Sequence, residues 1–307
     1  MTPAGILSIE LPLPFELETV NVYLVPLADG YLMIDCGMGT ESSYEALLAG
    51  MQSAGVQWTD VRILLITHMH PDHMGLTERI VAASGAALWV HREERRLPGM
   101  RHALIVAGVP ADLQVRMEAS FADIRKSVYQ LHPDRVLEGG ETIATAIGDL
   151  EVIWTPGHTP GHICLYCAHR RCLFSGDQMI EHITPNISWQ PDSDALGDYL
   201  ESLQRLGELD IETVLPSHGG PFTRHREWVR KTTEHHRERC ARILALIDGT
   251  GKTAHGVVLE LWKRKLSPLH HHFAALEILA HLEYMRRRGE VRGQEEDGEM
   301  KWLAETR

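Results

Sequence analysis

Ile63-Leu64-Leu65-Ile66-Thr67-His68-Met69-His70-Pro71-Asp72-His73 decides how this chain is read, because an apolar strand runs straight into four metal-capable side chains. Val61 to Thr67 is apolar throughout after Arg62, as expected of a strand covered on both faces. His68 and His70, two residues apart, point the same way while the segment stays extended. Pro71 then forces a turn, so that Asp72 and His73 can serve a second ion from the other side. Imidazole nitrogen and carboxylate oxygen suit zinc, iron or manganese, and one carboxylate can bridge two ions. A lone histidine is more often a core or surface residue than a ligand, and the chain holds 19 of them. Three histidines gathered with an aspartate behind a buried strand are far harder to dismiss.

Three later strands end in the same way. Val152-Ile153-Trp154-Thr155-Pro156-Gly157 delivers His158, Leu173-Phe174-Ser175-Gly176 delivers Asp177, and Val214-Leu215-Pro216-Ser217 delivers His218. Loops at the carboxyl ends of strands converge on one rim in layered α/β proteins, so these residues are expected to meet. Gly157 and Gly176 allow a sharp bend just before a ligand. Thr67 and Ser217 are placed to hold ligands by hydrogen bonds. His158, Asp177 or His218 would carry little weight alone. Their order and shared placement carry the joint reading.

The rest of the chain sets limits. Its 307 residues exceed the usual single domain, which favours one large domain and a smaller appendage. A formal charge of −12 disfavours a broad basic surface for nucleic acid. No apolar run approaches the roughly 20 residues that span a bilayer. Met1 to Leu13 lacks a basic n-region and a continuous apolar core, so a cytoplasmic protein with no membrane partner is expected. The five cysteines are an odd number without framework spacing, and Cys164-Leu165-Tyr166-Cys167 reads as a strand rather than half a zinc site.

Asn21 to Pro26 and Tyr31 to Asp35 read as paired strands, Ser43 to Ala54 and Leu76 to Ser84 as helices. A helical insertion over 91–135 is either a lid over the site or plain packing. After a catalytic domain over 1–222, helical spacing covers Glu227 to Ile247, Ala254 to Lys265 and Leu269 to Arg288. A helical, winged-helix-like domain over 223–290 and a frayed polar tail over 291–307 are therefore expected. His270-His271-His272 is expected at the surface, and Arg286-Arg287-Arg288 at a solvated helix end.

At this point the residues resemble the metallo-β-lactamase superfamily, whose signature is an HxHxDH run followed by a distant His, Asp and His. The resemblance covers roughly residues 15 to 222 and matches all seven ligand positions. It implies an α/β fold, an αββα sandwich with the site at one edge of two sheets, followed here by the small helical domain. It further implies that His68, His70 and His158 hold one metal and that Asp72, His73 and His218 hold another, with Asp177 bridging. Two divalent ions are implied, zinc first, with iron or manganese as alternatives. The antibiotic-destroying members typically use cysteine at the Asp177 position, so the resemblance favours the dinuclear hydrolases over that activity.

Such a centre activates a bridging water, and Asp72 is the candidate to accept its proton as well as bind metal. Thr155-Pro156-Gly157-His158-Thr159-Pro160-Gly161-His162 resembles hydroxyacylglutathione hydrolases, which implies an ester or thioester among small-molecule substrates. The loop Gln178 to Asp194, with Ile180, Ile183, Ile187 and Trp189, either lines a carbon-rich pocket or packs down. The helical tail instead resembles the lactamase-β-like group, some of whose members cut single-stranded RNA, which makes a phosphodiesterase with RNA as partner the second reading. An iron-dependent sulfur dioxygenase on the same fold is the third. A homodimer is the oligomeric expectation.

Overall fold

The structure is a computed structural model that describes residues 3–14, 17–94, 100–120, 132–249, 251–296 and 299–305. It divides into two compact units, one of Met1–Arg95, Ile124–Pro185 and Ser202–Trp228, the other of Arg96–Asp123, Asn186–Glu201 and Val229–Arg307. The division is less simple than a cut at 222. Much of the expected insertion, and a stretch of the loop after Asp177, belong with the C-terminal helices.

The first unit is built on two sheets. The larger has the strand order β1 (Leu7–Pro12), β2 (Thr19–Pro26), β3 (Tyr31–Ile34), β4 (Val61–Ile66), β5 (Ala87–His91), β6 (Arg135–Leu137). The smaller runs β11 (Thr213–Pro216), β10 (Cys172–Gly176), β9 (Ile163–Cys167), β8 (Leu150–Trp154), β7 (Thr142–Ile143). Strands β3 to β6 pair in parallel, as do β10 and β11, and the remaining pairs are antiparallel.

Side-chain alternation along β2 shows the layering. Val20, Val22 and Leu24 face one core with Leu47 and Met51 of α1 (Glu41–Ser53) and Ile80 of α3 (Thr77–Ser84). Tyr23 and Val25 face a second core, shared with Val152, Leu165, Phe174 and Leu215 of the smaller sheet. One-residue alternation thus feeds both layers from the same strand. The far face of the smaller sheet is also covered, since Cys164, Leu173 and Val214 are buried. Helix α6 (Ala195–Glu208) ends there, Ser202 donating to the Pro156 carbonyl at 2.9 Å and Arg205 to that of Trp154 at 3.0 Å.

In the second unit α4 (Met100–Val106) and α5 (Ala111–Ser120) realise the described part of the expected insertion, with Leu104, Val109 and Met117 buried. Along the same stretch Ile105 is exposed and Leu113 only partly buried, and the further apolar residues Phe121, Ile124 and Val128 lie outside the described residues. Three helices follow: α7 (His225–Ile247), which begins in the first unit, α8 (Ala254–Leu261) and α9 (Pro268–Arg287). Helix α8 stops before Trp262, short of the expected end at Lys265.

Two expectations are corrected here. The tail is not frayed: β12 (Val291–Glu296) and β13 (Glu299–Ala304) pair as an antiparallel hairpin. Its charged residues face out, while Val291 and Trp302 are buried. Trp302 also exchanges two backbone hydrogen bonds with Lys252, at 2.8 and 3.0 Å. One apolar residue per strand anchors it, too sparse a pattern to see against the charge. The three consecutive histidines are not all at the surface either. His271 and His272 are buried, and His271 Nε2 lies 2.9 Å from His255 Nδ1. The arginine run is held in ion pairs, Arg286 and Arg287 with Glu283 and Arg288 with Asp194.

Candidate metal centre

All seven residues singled out in the sequence meet at the carboxyl ends of β4, β8, β10 and β11. His68, His70, His158 and Asp177 form one group and Asp72, His73 and His218 another, the ligand-type atoms within each lying within 4.8 Å of one another. Pro71 makes a tighter bend than a simple turn. It opens the short helix α2 (Pro71–Met74), whose first turn presents Asp72 and His73.

In the first group His70 Nδ1 sits 3.0 Å from His68 Nε2 and 3.1 Å from His158 Nε2. Asp177 Oδ2 is 3.6 Å from His158 Nε2 and 4.0 Å from His68 Nε2. In the second, His218 Nε2 is 3.3 Å from Asp72 Oδ2, and His73 Nε2 is 3.6 Å from it. Asp177 Oδ1 completes that group at 3.4 Å from His73 Nε2 and 3.5 Å from His218 Nε2. These separations bracket the roughly 3.3 Å edge of a tetrahedron with metal–nitrogen bonds near 2.0–2.1 Å. The two oxygens of Asp177 face different groups.

The outer nitrogens are assigned by their partners. His73 Nδ1 donates to Asp35 Oδ2 at 2.8 Å, and His218 Nδ1 to the Thr19 carbonyl at 2.8 Å. His68 Nδ1 lies 3.1 Å from the Thr67 hydroxyl, which itself donates to both oxygens of Asp35 at 2.9 and 3.0 Å. Each ring is therefore held from its Nδ1 side and turns Nε2 inward, the orientation a metal-binding histidine needs. His73 Nε2, His218 Nε2 and Asp177 Oδ1 are buried without a hydrogen-bond partner. Buried polar atoms are seldom left so, and a cation between them would satisfy all three.

Electrostatics separate the two groups. Burial, helped by the neighbouring imidazoles, holds His70 down at about 3 and His68 well below its ordinary value. At His218 burial works against the charge, but Asp177 and Asp72 outweigh it and push the imidazole up to about 10. His73 is raised in the same way, against its burial, by Asp177, Asp72 and Asp35. Asp177 is lowered, because His218 and His73 outweigh its desolvation. The first group offers neutral nitrogen, the second a concentration of negative charge. His70 and Asp72 are the half-exposed members of the two groups.

Three supporting residues were not singled out by the sequence as part of the site. Asp35, directly after β3, has φ of +60° and accepts hydrogen bonds from His73, Thr67 and Ser217. A non-glycine residue in that region costs about 1–3 kcal/mol and persists where its surroundings over-determine it. Glu94, after β5, accepts from the Met69 amide at 2.7 Å, from the Gly161 amide at 2.9 Å and from the Thr159 hydroxyl. One partly buried carboxylate thus ties the His68–His70 loop to the loop bearing His158. Gly161 is needed there, since an added Cβ would stand 2.4 Å from the Glu94 nitrogen. His162 Nε2 accepts the Asp177 amide at 3.1 Å, while its Nδ1 lies 2.8 Å from the Thr155 hydroxyl. Asp35 sits at a strand end and obeys the rule that found His68. Glu94 and His162 carry no signal beyond their residue types.

Two sheets, strand-end loops and two convergent His/Asp groups define a metal-dependent hydrolase. Residues 16–218 match the sequence family described as the metallo-beta-lactamase superfamily, and residues 240–305 match its companion, the metallo-beta-lactamase-like C-terminal domain. The chain belongs to the metallo-beta-lactamase superfamily.

Among its relatives, the probable metallo-hydrolase YqjP of Bacillus subtilis is 27% identical over 281 residues, 85% of this chain and 86% of that protein. The acyl-coenzyme A thioesterase MBLAC2 of Gallus gallus is 30% identical over 67% of this chain and 74% of its own length. A crystal structure of a metallo-beta-lactamase family protein from Thermus thermophilus superposes with a TM-score of 0.81 at 30% identity, covering 99% of this chain and all of that one. Among the described residues no helix is long and apolar enough to cross a membrane.

Proposed function

We propose that the chain is a dinuclear hydrolase of acyl thioesters or related esters. In this reading His68, His70 and His158 hold one ion, Asp72, His73 and His218 the other, and Asp177 bridges them. The observation that carries it is the split of the Asp177 carboxylate, Oδ2 toward His68 and His158, Oδ1 toward His73 and His218. Zinc fits the nitrogen-rich donor set best, with iron or manganese compatible.

When bound, a pair of divalent ions supplies an activated water and polarises an acyl carbonyl. The chain's own residues do the rest. Asp72 stands at the partly buried edge of the second group and is placed to take the proton of the attacking water as well as to hold the second ion. Asp35 and Glu94 fix the ligand loops, so that little reorganisation is left for the reaction. Substrate enters on the side of His70 and Asp72, since the other ligands are buried.

Similarity to the avian acyl-coenzyme A thioesterase supports a thioester over a phosphodiester. The loop after Asp177 adds modest support: Ile183 is exposed and offers apolar surface, but Ile180 and Ile187 are buried in packing. No observation favours glutathione over other thiol carriers, or the RNA and sulfur dioxygenase readings. The test is a panel of acyl-coenzyme A thioesters, a simple ester, S-lactoylglutathione and a phosphodiester on zinc-reconstituted chain. Acyl thioester turnover that vanishes on chelation and in Asp72→Ala is the expected result. Preferred turnover of the phosphodiester would overturn the substrate assignment, and thioester turnover surviving complete chelation would overturn the mechanism.

A further inference from the structure

The second unit holds another constellation of metal-capable side chains, independent of the centre described above. His236 on α7 and Glu277 and His281 on α9 offer ligand atoms within 4.8 Å of one another. Glu277 and His281 are four residues apart, so one helix face carries both. His236 Nδ1 lies 3.1 Å from His281 Nε2, and the two rings are tilted by 37° with centroids 5.2 Å apart. Both histidines are buried, His236 1% exposed and His281 fully enclosed.

The hydrogen bonds around the trio resemble those that prepare a ligand set. His281 Nδ1 donates to the Glu277 carbonyl at 2.7 Å, which assigns its proton and leaves Nε2 as a lone pair aimed at His236. Glu277 is oriented by Arg239 Nη1 at 3.2 Å and Asn186 Nδ2 at 3.4 Å. Burial, with His281 beside it, takes His236 down to about 2, and burial takes His281 down to about 3, so both rings offer neutral nitrogen at neutral pH.

We propose that His236, Glu277 and His281 form a third metal site, which takes one borderline divalent cation such as Zn²⁺, Co²⁺ or Ni²⁺ and clips α7 to α9. Two imidazoles and one carboxylate leave a fourth position for water, as in open rather than closed zinc sites. The Arg239 guanidinium repels a cation, so this site is weaker than the two-metal centre and releases its ion first to a chelator. Without an ion, the 3.1 Å contact is an ordinary hydrogen bond from His236 Nδ1 to His281 Nε2, and that is the competing account.

The experiment is a Zn²⁺ and Co²⁺ titration of the metal-depleted full chain, read by elemental analysis and Co²⁺ absorption. Wild type is expected to bind three equivalents per chain. Glu277→Gln and His281→Gln should each bind two and keep thioester turnover. Glu277→Gln keeps the side chain's size and one acceptor oxygen, enough for Arg239 or Asn186 but not both, and an unchanged thermal unfolding midpoint guards against a loss caused by misfolding. Asp177→Asn, which weakens the main centre, should still bind an ion at the helical site, and adding Glu277→Gln should remove one equivalent and its Co²⁺ absorption. Equal saturation of wild type, Glu277→Gln and His281→Gln, at whatever number of equivalents, would overturn the proposal. Neither result bears on the main centre, which Asp177→Asn tests separately.

Discussion

The two halves of the metal centre are organised by different carboxylates. The His68, His70 and His158 half is braced by Glu94, which grips the Met69 amide on one loop and Gly161 and Thr159 on another. The Asp72, His73 and His218 half is braced by Asp35, which holds His73 directly and reaches Thr67 and Ser217. Glu94 therefore acts on backbone position, Asp35 on the electronics and orientation of a ligand ring. The first half presents neutral nitrogens, and the second gathers negative charge that raises His73 and His218. A shared centre can thus be tuned on either side, with Asp177 as the common member.

Substitutions that break this comparison follow in order of size. Asp177→Asn removes the group facing both halves, and should cost orders of magnitude in turnover and release both ions more readily, as read by kcat and metal content after dialysis. Asp35→Asn leaves a side chain of the same shape without the charge that orients His73. A loss of roughly 10–100-fold in affinity for the second ion is expected, with a smaller loss for the first, whose ligand His68 is reached only through Thr67. Glu94→Gln should act in the opposite sense, lowering affinity for the first ion by about tenfold at most. Competition with a metallochromic chelator distinguishes the two, and an equal effect on both ions in both variants would remove the distinction. Ser217→Ala deletes only a 3.3 Å contact to Asp35 and should cost about 0.5–1.5 kcal/mol in thermal unfolding, with little change in metal content.

The same contrast explains what could be read from the sequence. Ligands at strand ends were legible because a buried apolar run announces the strand and the next residue types announce the chemistry. All seven candidates come together across a span from His68 to His218. Asp35 was legible by the same rule but is a lone acid without a neighbouring ligand. Glu94 was not, since it works through backbone amides of distant loops, and a sequence does not record which amides lack partners. In the fold, β2 to β4 and β8 to β11 stood out as dense apolar runs. The edge strands β1, β6 and β7 are short or flanked by proline and did not. The hairpin of β12 and β13 was hidden by charge, its inward face reduced to Val291 and Trp302. His271 and His272 show the reverse case, polar residues that tertiary packing encloses.

Anomalous scattering from crystals of the zinc-loaded chain tests the central claim most directly. The account predicts two ions about 3.5–4 Å apart on either side of Asp177, one among His68, His70 and His158, the other among Asp72, His73 and His218. A single ion in the centre at full loading, with His73 and His218 left unengaged, would contradict it.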